Sequence, residues 1–383
     1  MIQVHEQPDA AVVAEVAAYV AAAGTETGAC EEHDPRWLAV LREGLGHRPM
    51  MLVARGDSQC DIRNPKSNMQ GDTRRCAQSG SASACRVENP KSEISGYLPL
   101  ALVASRLFGR FLVSLPYLNR GGVVADDAAT AVDLIDKAAE LADQLDVQYL
   151  ELRHGQPIAH PRLNAQRDEK KRMVLELPRD ADALWKDLDA KVRNQVRKGD
   201  KHELTLRWGG LDVLDAFYDI FAVNMRDLGT PVFPRKLFAA ILTHFKGEAE
   251  LAVADCQNQP VAAALLIHSQ RGSTQVPSAS ALRQFNHTNA NMWMYHRLLL
   301  RAIERGSREF DFGRSSQDAG TYRFKKQWGA EPRETVWQYH QRRGDINSMR
   351  PDNPRYQRRI ALWQKMPVWA TRLIGPSIVK GIP

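Results

Sequence analysis

Residues 310–330 read FDFGRSSQDAGTYRFKKQWGA, a strand-like run that ends in Gly313-Arg314, crosses a polar turn and then presents Arg323, Phe324, Lys325 and Lys326 beside Trp328 and Gly329. Moving an acyl group from oxygen or sulfur to an amine develops negative charge on the carbonyl oxygen and on the leaving group. A fixed cation with nearby backbone N–H groups stabilises that charge. Lys325 has the required character, because the flanking aromatic residues Phe324 and Trp328 can hold and partly desolvate it. Gly313 and Gly320 let the backbone approach a ligand closely. Asp311 and Tyr322 are the polar neighbours suited to proton handling or to the acceptor side. Taken alone, the stretch also fits a basic loop set on core aromatics, and both readings stay open at this level.

A second cation cluster lies in DALWKDLDAKVRNQVRK, residues 182–198. At helical spacing Leu184, Trp185, Leu188, Val192 and Val196 share one stripe, while Lys191, Arg193, Asn194, Arg197 and Lys198 occupy the other face. Four cations and no acid between Lys191 and Lys198 suit phosphate, since arginine bonds it bidentately and lysine adds a point charge. A merely solvated face is the alternative. In VNMRDLGTPVFP, Asn224, Arg226 and Asp227 stand at a helix end running into a shaped loop.

Other chemistries find no support. The sequence lacks G-x-S-x-G, a P-loop and H-E-x-x-H, the signatures of serine hydrolases, phosphate-cradling NTPases and zinc proteases. Its five cysteines (Cys30, Cys60, Cys76, Cys85, Cys256) form no C-x-x-C pair, which fits a reducing cytoplasm and not a metal site.

The elements that must position these residues follow a repeated order. In the second half AELAVADC, VAAALLIHS and Ser273 to Ala281 read as strands, with the turn QNQP between the first two. A helix follows, with Met292, Tyr295, Leu299, Ala302 and Ile303 on one face and Gly306 past its end; SREFDFG is the returning strand. The first half repeats this with MMLVARG, YLPLALVAS, RFLVSLPYL, the helix AVDLIDKAAELADQL and VQYLELRHG. Helices precede each set, at Ala11 to Ala22 and Pro35 to Leu45, then at Ala181 to Lys198 and Leu214 to Phe245. A chain of 383 residues accommodates two α+β units of this kind, the first over 1–160 and the second over 171–345, joined through the polar run His154 to Lys171. Asp57 to Ser95 does not belong: it is poor in large apolar residues and carries Asn-Pro-Lys-Ser twice, so it reads as a disordered insertion at the first hairpin tip.

KVRNQVRKGDKHELTL, FYDIFAVNMRDLGTPV and FDFGRSSQDAGTYRFKKQWGA together resemble the FemAB-like proteins of the GNAT acyltransferase superfamily, in particular the group associated with exosortase/PEP-CTERM exopolysaccharide systems. The resemblance implies two tandem GNAT-like domains. Fem-type transferases move an aminoacyl group from charged tRNA to an amine of a peptidoglycan precursor, so it also implies an N-acyl transfer. The family's aromatic-Lys pair, which neighbours the tRNA end and the developing charge, matches Phe324 and Lys325. Trp328 replaces the more usual Phe. Acetyl-CoA-dependent relatives carry a glycine-bearing [RQ]-x-x-G-x-[GA] loop that cradles pyrophosphate; RQFNHTNANMWMYHR has no glycine.

The expectation is an N-acyl or aminoacyl transferase acting on an amine of a cell-envelope or exopolysaccharide precursor. Lys325 stabilises charge and Phe324 orients the donor. Asp311 and Tyr322 are the further catalytic candidates. Lys191, Arg193, Asn194, Arg197, Lys198, Asn224, Arg226, Asp227, Arg314, Arg323 and Trp328 line the substrates. No tightly bound cofactor is called for; the donor is aminoacyl-tRNA or acyl-CoA, and the acceptor bears phosphate. The rivals are an acetyl-CoA-dependent N-acetyltransferase and a non-catalytic module for RNA or membrane. From Gln341 to Pro383 the chain holds nine Lys/Arg against two Asp. This basic tail, predicted as two short helices with Trp363 and Trp369, suits an anionic inner-membrane surface. The N-terminus has neither the basic head nor the apolar run of a secretory signal, so the expected location is the cytoplasm, with peripheral membrane contact.

Overall fold

The computed structural model describes residues 1–56, 94–346 and 354–383. Its first part comprises β1 (Ile2–His5), α1 (Ala10–Ala22), α2 (Arg36–Leu45), β2 (Arg48–Arg55), β3 (Ile94–Ser105), β4 (Gly109–Val113), β5 (Val124–Ala125), α3 (Ala128–Gln144), β6 (Tyr149–His154) and β7 (Ala165–Arg167). Then come β8 (Lys170–Glu176), α4 (Ala181–Asp187), α5 (Ala190–Asp200), β9 (Leu204–Gly209), α6 (Leu214–Leu228), α7 (Arg235–His244), β10 (Ala249–Cys256), β11 (Gln259–His268), β12 (Ser273–Ala281), α8 (Ala290–Glu304), β13 (Glu309–Ser316) and α9 (Gly320–Lys326). The chain continues through β14 (Glu331–Arg333) and β15 (Val336–Gln341) to α10 (Pro354–Gln364) and α11 (Val368–Val379).

The duplicated α+β architecture expected from the sequence is present. In each half three antiparallel strands lead into a helix, and the next strand returns parallel to the third. Thus β6 pairs β4 over Phe111↔Tyr149 to Val113↔Glu151, and β13 pairs β12 over Ser273↔Glu309 to Gln275↔Asp311. Both parallel ladders last three residues before the strands part. Alternation along each strand builds the layers: on β10 Leu251 and Val253 face one core while Ala252 and Ala254 face another. The core between the two sheets is shared, with α2 of the first half against α7 of the second. Gly44 permits this contact, since a Cβ there would lie 2.9 Å from the Leu237 Cα, and Trp37 packs on Phe245 with ring centroids 4.8 Å apart.

Several boundaries differ from the sequence reading. The helix expected over Ala181 to Lys198 is two, because Leu188 turns extended at φ −66°, ψ 140°; the guanidinium of Arg193 donates to the carbonyls of Trp185, Lys186 and Leu188, and so caps α4. Gly375 and Pro376, residue types that commonly end a helix, lie inside α11; Gly375 has no Cβ to strike Val232, which would sit 2.8 Å away. One strand crosses the expected division: β15 inserts between β6 and β7 in the first sheet. Of the segment Asp57 to Ser95, Ile94 and Ser95 begin β3, with Ile94 registered on Arg55; the rest lies outside the described residues.

Candidate functional site

The sequence places a glycine where β13 must bend. Asp311 registers on Val174 and Arg314 on Arg172, so Phe312 and Gly313 together oppose a single residue of β8, a bulge of the kind that re-aims groups beside active sites. Gly313 adopts φ +76°, where a side chain would be strained. Its N–H donates to Asp311 Oδ1 at 2.7 Å. The bulge turns the carbonyls of Gly313 and Arg314 out of the ladder, and Lys325 Nζ, from α9, donates to both at 3.0 and 3.2 Å. Lys325 is only 9% exposed, and burial pulls it down to about 8, against the field of Asp311.

The facing wall comes from the other end of the chain. A short turn after Cys30 carries Glu31 and Glu32; the Arg120 guanidinium bonds Glu31 at 2.6 Å and Glu32 at 3.1 Å. Arg172 donates to Asp311 Oδ2 at 3.2 Å and lies 3.9 Å from Glu31. Burial opposes charge on Glu31, but Arg120, the Ser273 hydroxyl and Arg172 outweigh it and hold the carboxyl at about 2. Asp311 is pushed up instead, by burial and by the field of Glu32, although Arg172 opposes both. His33 stays neutral, burial drawing it down to about 4; it donates from Nε2 to the Gly122 carbonyl and accepts the Cys30 N–H at Nδ1. Cys30, Glu31 and Glu32 converge as metal ligands would. They fit a metal poorly, since Arg120 already occupies both carboxylates and burial lifts the Cys30 thiol well above its usual range.

Between these walls lies a cavity of about 330 Å³ bordered by Glu32, Asn119, Gln275, Asp311, Arg314 and Lys325. The Arg314 guanidinium stacks 3.4 Å from the Trp337 ring centroid. Burial, then repulsion from Arg153, lowers it to about 9, and its Nε is buried without a partner. Glu32 Oε1 is likewise buried and unbonded. The site therefore offers Lys325 and Arg314 for developing negative charge and Glu32 and Asp311 for a departing proton, with the exposed Lys170 also on its border.

Of the sequence candidates, Lys325, Asp311 and Arg314 meet here. Phe324 and Trp328 instead pack in the second core against Tyr295, at 4.9 and 6.1 Å, and Tyr322 lies half-buried on the same core. Arg323 is exposed on α9. On α5, Lys191, Asn194, Arg197 and Lys198 face solvent, with Arg197 5.3 Å from the Trp185 ring. Asn224 donates to the Ser280 hydroxyl. Arg226 pairs with Asp227 and bonds the Met366 carbonyl, so this pair anchors the tail. Glu31, Glu32 and Arg120 went unread; the only signal was an acidic pair in a loop.

Residues 186–326 match a family model described as an acetyltransferase (GNAT) domain. No curated protein matches the chain in sequence. Among solved structures it is similar to FemX, at 12% identity and a TM-score of 0.60, covering 88% of this chain and 96% of that one. A conserved protein of unknown function from Bacteroides thetaiotaomicron shares 10% identity at a TM-score of 0.53, with 88% and 99% covered. A tandem GNAT protein from the clavulanic acid biosynthesis pathway follows at 12% and 0.47, with 88% and 98% covered. The fold is the mixed α+β fold of FemX and the Bacteroides protein, and the segment matched by the GNAT model, in the C-terminal half, supplies Asp311, Arg314 and Lys325.

Proposed function

We propose that this chain, built on a GNAT-type acyltransferase fold, is an N-acyl or aminoacyl transferase whose acceptor is an amine of a cell-envelope or exopolysaccharide precursor. One observation carries the reading: Lys325 is held desolvated on two bulge carbonyls, 9% exposed, at the wall of a cavity shared by both halves. In the reaction the amine nitrogen attacks the donor's carbonyl carbon. The oxyanion forms toward Lys325 and Arg314; as it collapses the C–O or C–S bond of the donor breaks, and the oxygen or sulfur leaves as the alcohol or thiol with the proton passed on from the amine. Glu32 and Asp311 are placed to take the proton the amine gives up.

Charged tRNA is the favoured donor. The start of α8 lacks the glycine-bearing loop of acetyl-CoA-dependent relatives: residues Arg283–Thr288, without a glycine, form a tight turn before it, and the Ala290 N–H already bonds the Thr288 hydroxyl at 3.2 Å. The exposed cations of α5 are free to meet a phosphate backbone. Calorimetric titration separates the donors. Aminoacylated tRNA is expected to bind more tightly than uncharged tRNA, with affinity falling steeply in salt, while acetyl-CoA gives no heat. Micromolar binding of acetyl-CoA would move the donor to acyl-CoA, and equal binding of charged and uncharged tRNA would leave an RNA-binding module.

The same reading puts the protein at the cytoplasmic face of the inner membrane. No helix among the described residues is long and apolar enough to cross a membrane. Trp363 is buried, but Trp369 is 70%, Leu373 72% and Leu362 66% exposed, beside the exposed Arg358, Arg359 and Lys365. That composition suits an anionic interface. The chain is expected to co-sediment with vesicles containing phosphatidylglycerol and not with pure phosphatidylcholine, and Trp369→Glu/Leu373→Glu to lose the interaction; unchanged sedimentation of the double variant would place contact elsewhere.

A further inference from the structure

Beside the charged cavity lies a second pocket of different character, about 310 Å³ in volume. Its walls come from both halves: Trp37 and Leu41 of α2, Phe221 and Met225 of α6, Phe238 of α7, and the Ser278–Ser280 stretch of β12. The two spaces share Tyr117, Leu118 and Pro277 as a common wall. Protein interiors hold few voids larger than a water molecule, and an apolar cavity of about 150 Å³ stays dry and binds benzene. Of the polar groups in this wall, the Asn224 amide and the Ser280 hydroxyl bond each other at 3.1 Å, and the rest of the lining is predominantly apolar.

The mouth has a second distinguishing feature. Leu228 at the rim is 54% exposed. The next residue, Gly229, meets Ile360 of α10 so closely that a Cβ would fall 2.4 Å from it. On another side the Tyr117 hydroxyl reaches the carbonyls of Val379 and Lys380 at the end of α11. The C-terminal helices thus flank the opening, and their outer faces expose Leu362, Trp369 and Leu373.

We infer that this pocket binds an aliphatic chain carried by one of the two substrates, with the polar head of that substrate beside Lys325. This deepens the transfer reaction proposed above and rests on it for the identity of the head. The occupant is a saturated or isoprenoid chain of medium length, delivered either by an acyl donor or by a lipid-linked acceptor. A short aminoacyl side chain would leave most of the volume empty.

The test is equilibrium binding by the full chain, which needs no turnover. Butanoate, octanoate and dodecanoate are titrated below their micellar concentrations. Affinity is expected to rise about fourfold per added methylene, equivalent to about 0.8 kcal/mol, and to level off once the pocket is full. Met225→Trp, which fills the space, should lower dodecanoate affinity at least tenfold and leave butanoate unchanged. Leu228→Trp, at the exposed rim, gives the same answer should the first variant fold poorly. Equal affinities for butanoate and dodecanoate would overturn the inference, as would dodecanoate binding that both variants leave untouched. Decanoyl-CoA and decylamine then separate the sources: the one whose affinity Met225→Trp lowers carries the chain, and no loss for either counts against the site. If chain-length dependence persists while Lys325 proves irrelevant to turnover, the pocket stands and the reaction assignment falls.

Discussion

Replacing Lys325 with methionine is expected to lower kcat and kcat/KM together by about 10²–10³-fold, the loss of about 3–4 kcal/mol that follows removal of one preorganised group facing an oxyanion. Methionine keeps the length of the stem in a site that is 9% exposed. The substitution removes the cost of burying an ammonium but leaves the Gly313 and Arg314 carbonyls without their donor, so a melting curve at neutral pH checks that the variant is folded at the assay temperature. The pH profile gives an independent check. Burial places Lys325 at about 8 instead of its ordinary 10.5. A lysine that works as a cation is therefore active below that value, and the parent should lose turnover as pH climbs through about 8. A lysine working as a neutral base would show the reverse slope. Stability runs the other way, because between about 8 and 10.5 the unfolded chain binds more protons than the folded one, and folding from this group gains as pH rises. Steady-state rates from pH 6 to 9.5, with melting curves over the same range, decide the matter. A methionine variant within threefold of the parent, or activity that rises through pH 8, ends the assignment.

What the sequence made legible was periodic. Alternation on β10 and β11 and the helical stripe on α8 follow directly from which face each residue buries, and repetition of that order disclosed the two-unit fold. Lys325 was legible because aromatic neighbours flank it within a few residues. Direction within a helix was not: at one position before Lys325, Phe324 points into the core toward Tyr295 while Lys325 points at the bulge. A cation stripe also fails to say what each cation does, and Arg193 spends its donors on the carbonyls of α4. The facing wall was beyond reach for another reason. Glu31 and Glu32 join Asp311 only through the docking of the two halves, a contact with no local signature in either segment.

That docking makes the second large effect predictable. Arg120 is the cation between Glu31 and Glu32, whose side chains are 13% and 1% exposed. Arg120→Leu leaves both carboxylates buried with less compensation, and breaking such a group typically costs about 3–5 kcal/mol. Against burial, Arg120 is the largest of the causes that hold the Glu31 carboxyl down, with Ser273 and Arg172 sharing the effect. In the parent, Glu31 contributes stability that is present above pH 4.5 and lost only as pH falls through about 2. In the variant, burial opposes the Glu31 carboxylate with less compensation and moves it up from its value in the parent, so the variant regains ground as the carboxyl takes up a proton. Urea unfolding at pH 7 and pH 4 should therefore show a deficit that is largest at neutral pH and clearly smaller at pH 4. Adding Glu31→Gln to Arg120→Leu should return part of the loss, since the pair is in contact and its effects are not additive. A deficit below about 1 kcal/mol, or one equal at both pH values, would mean that the two halves are held by their shared apolar core alone and that the acidic wall of the cavity is placed by something other than Arg120.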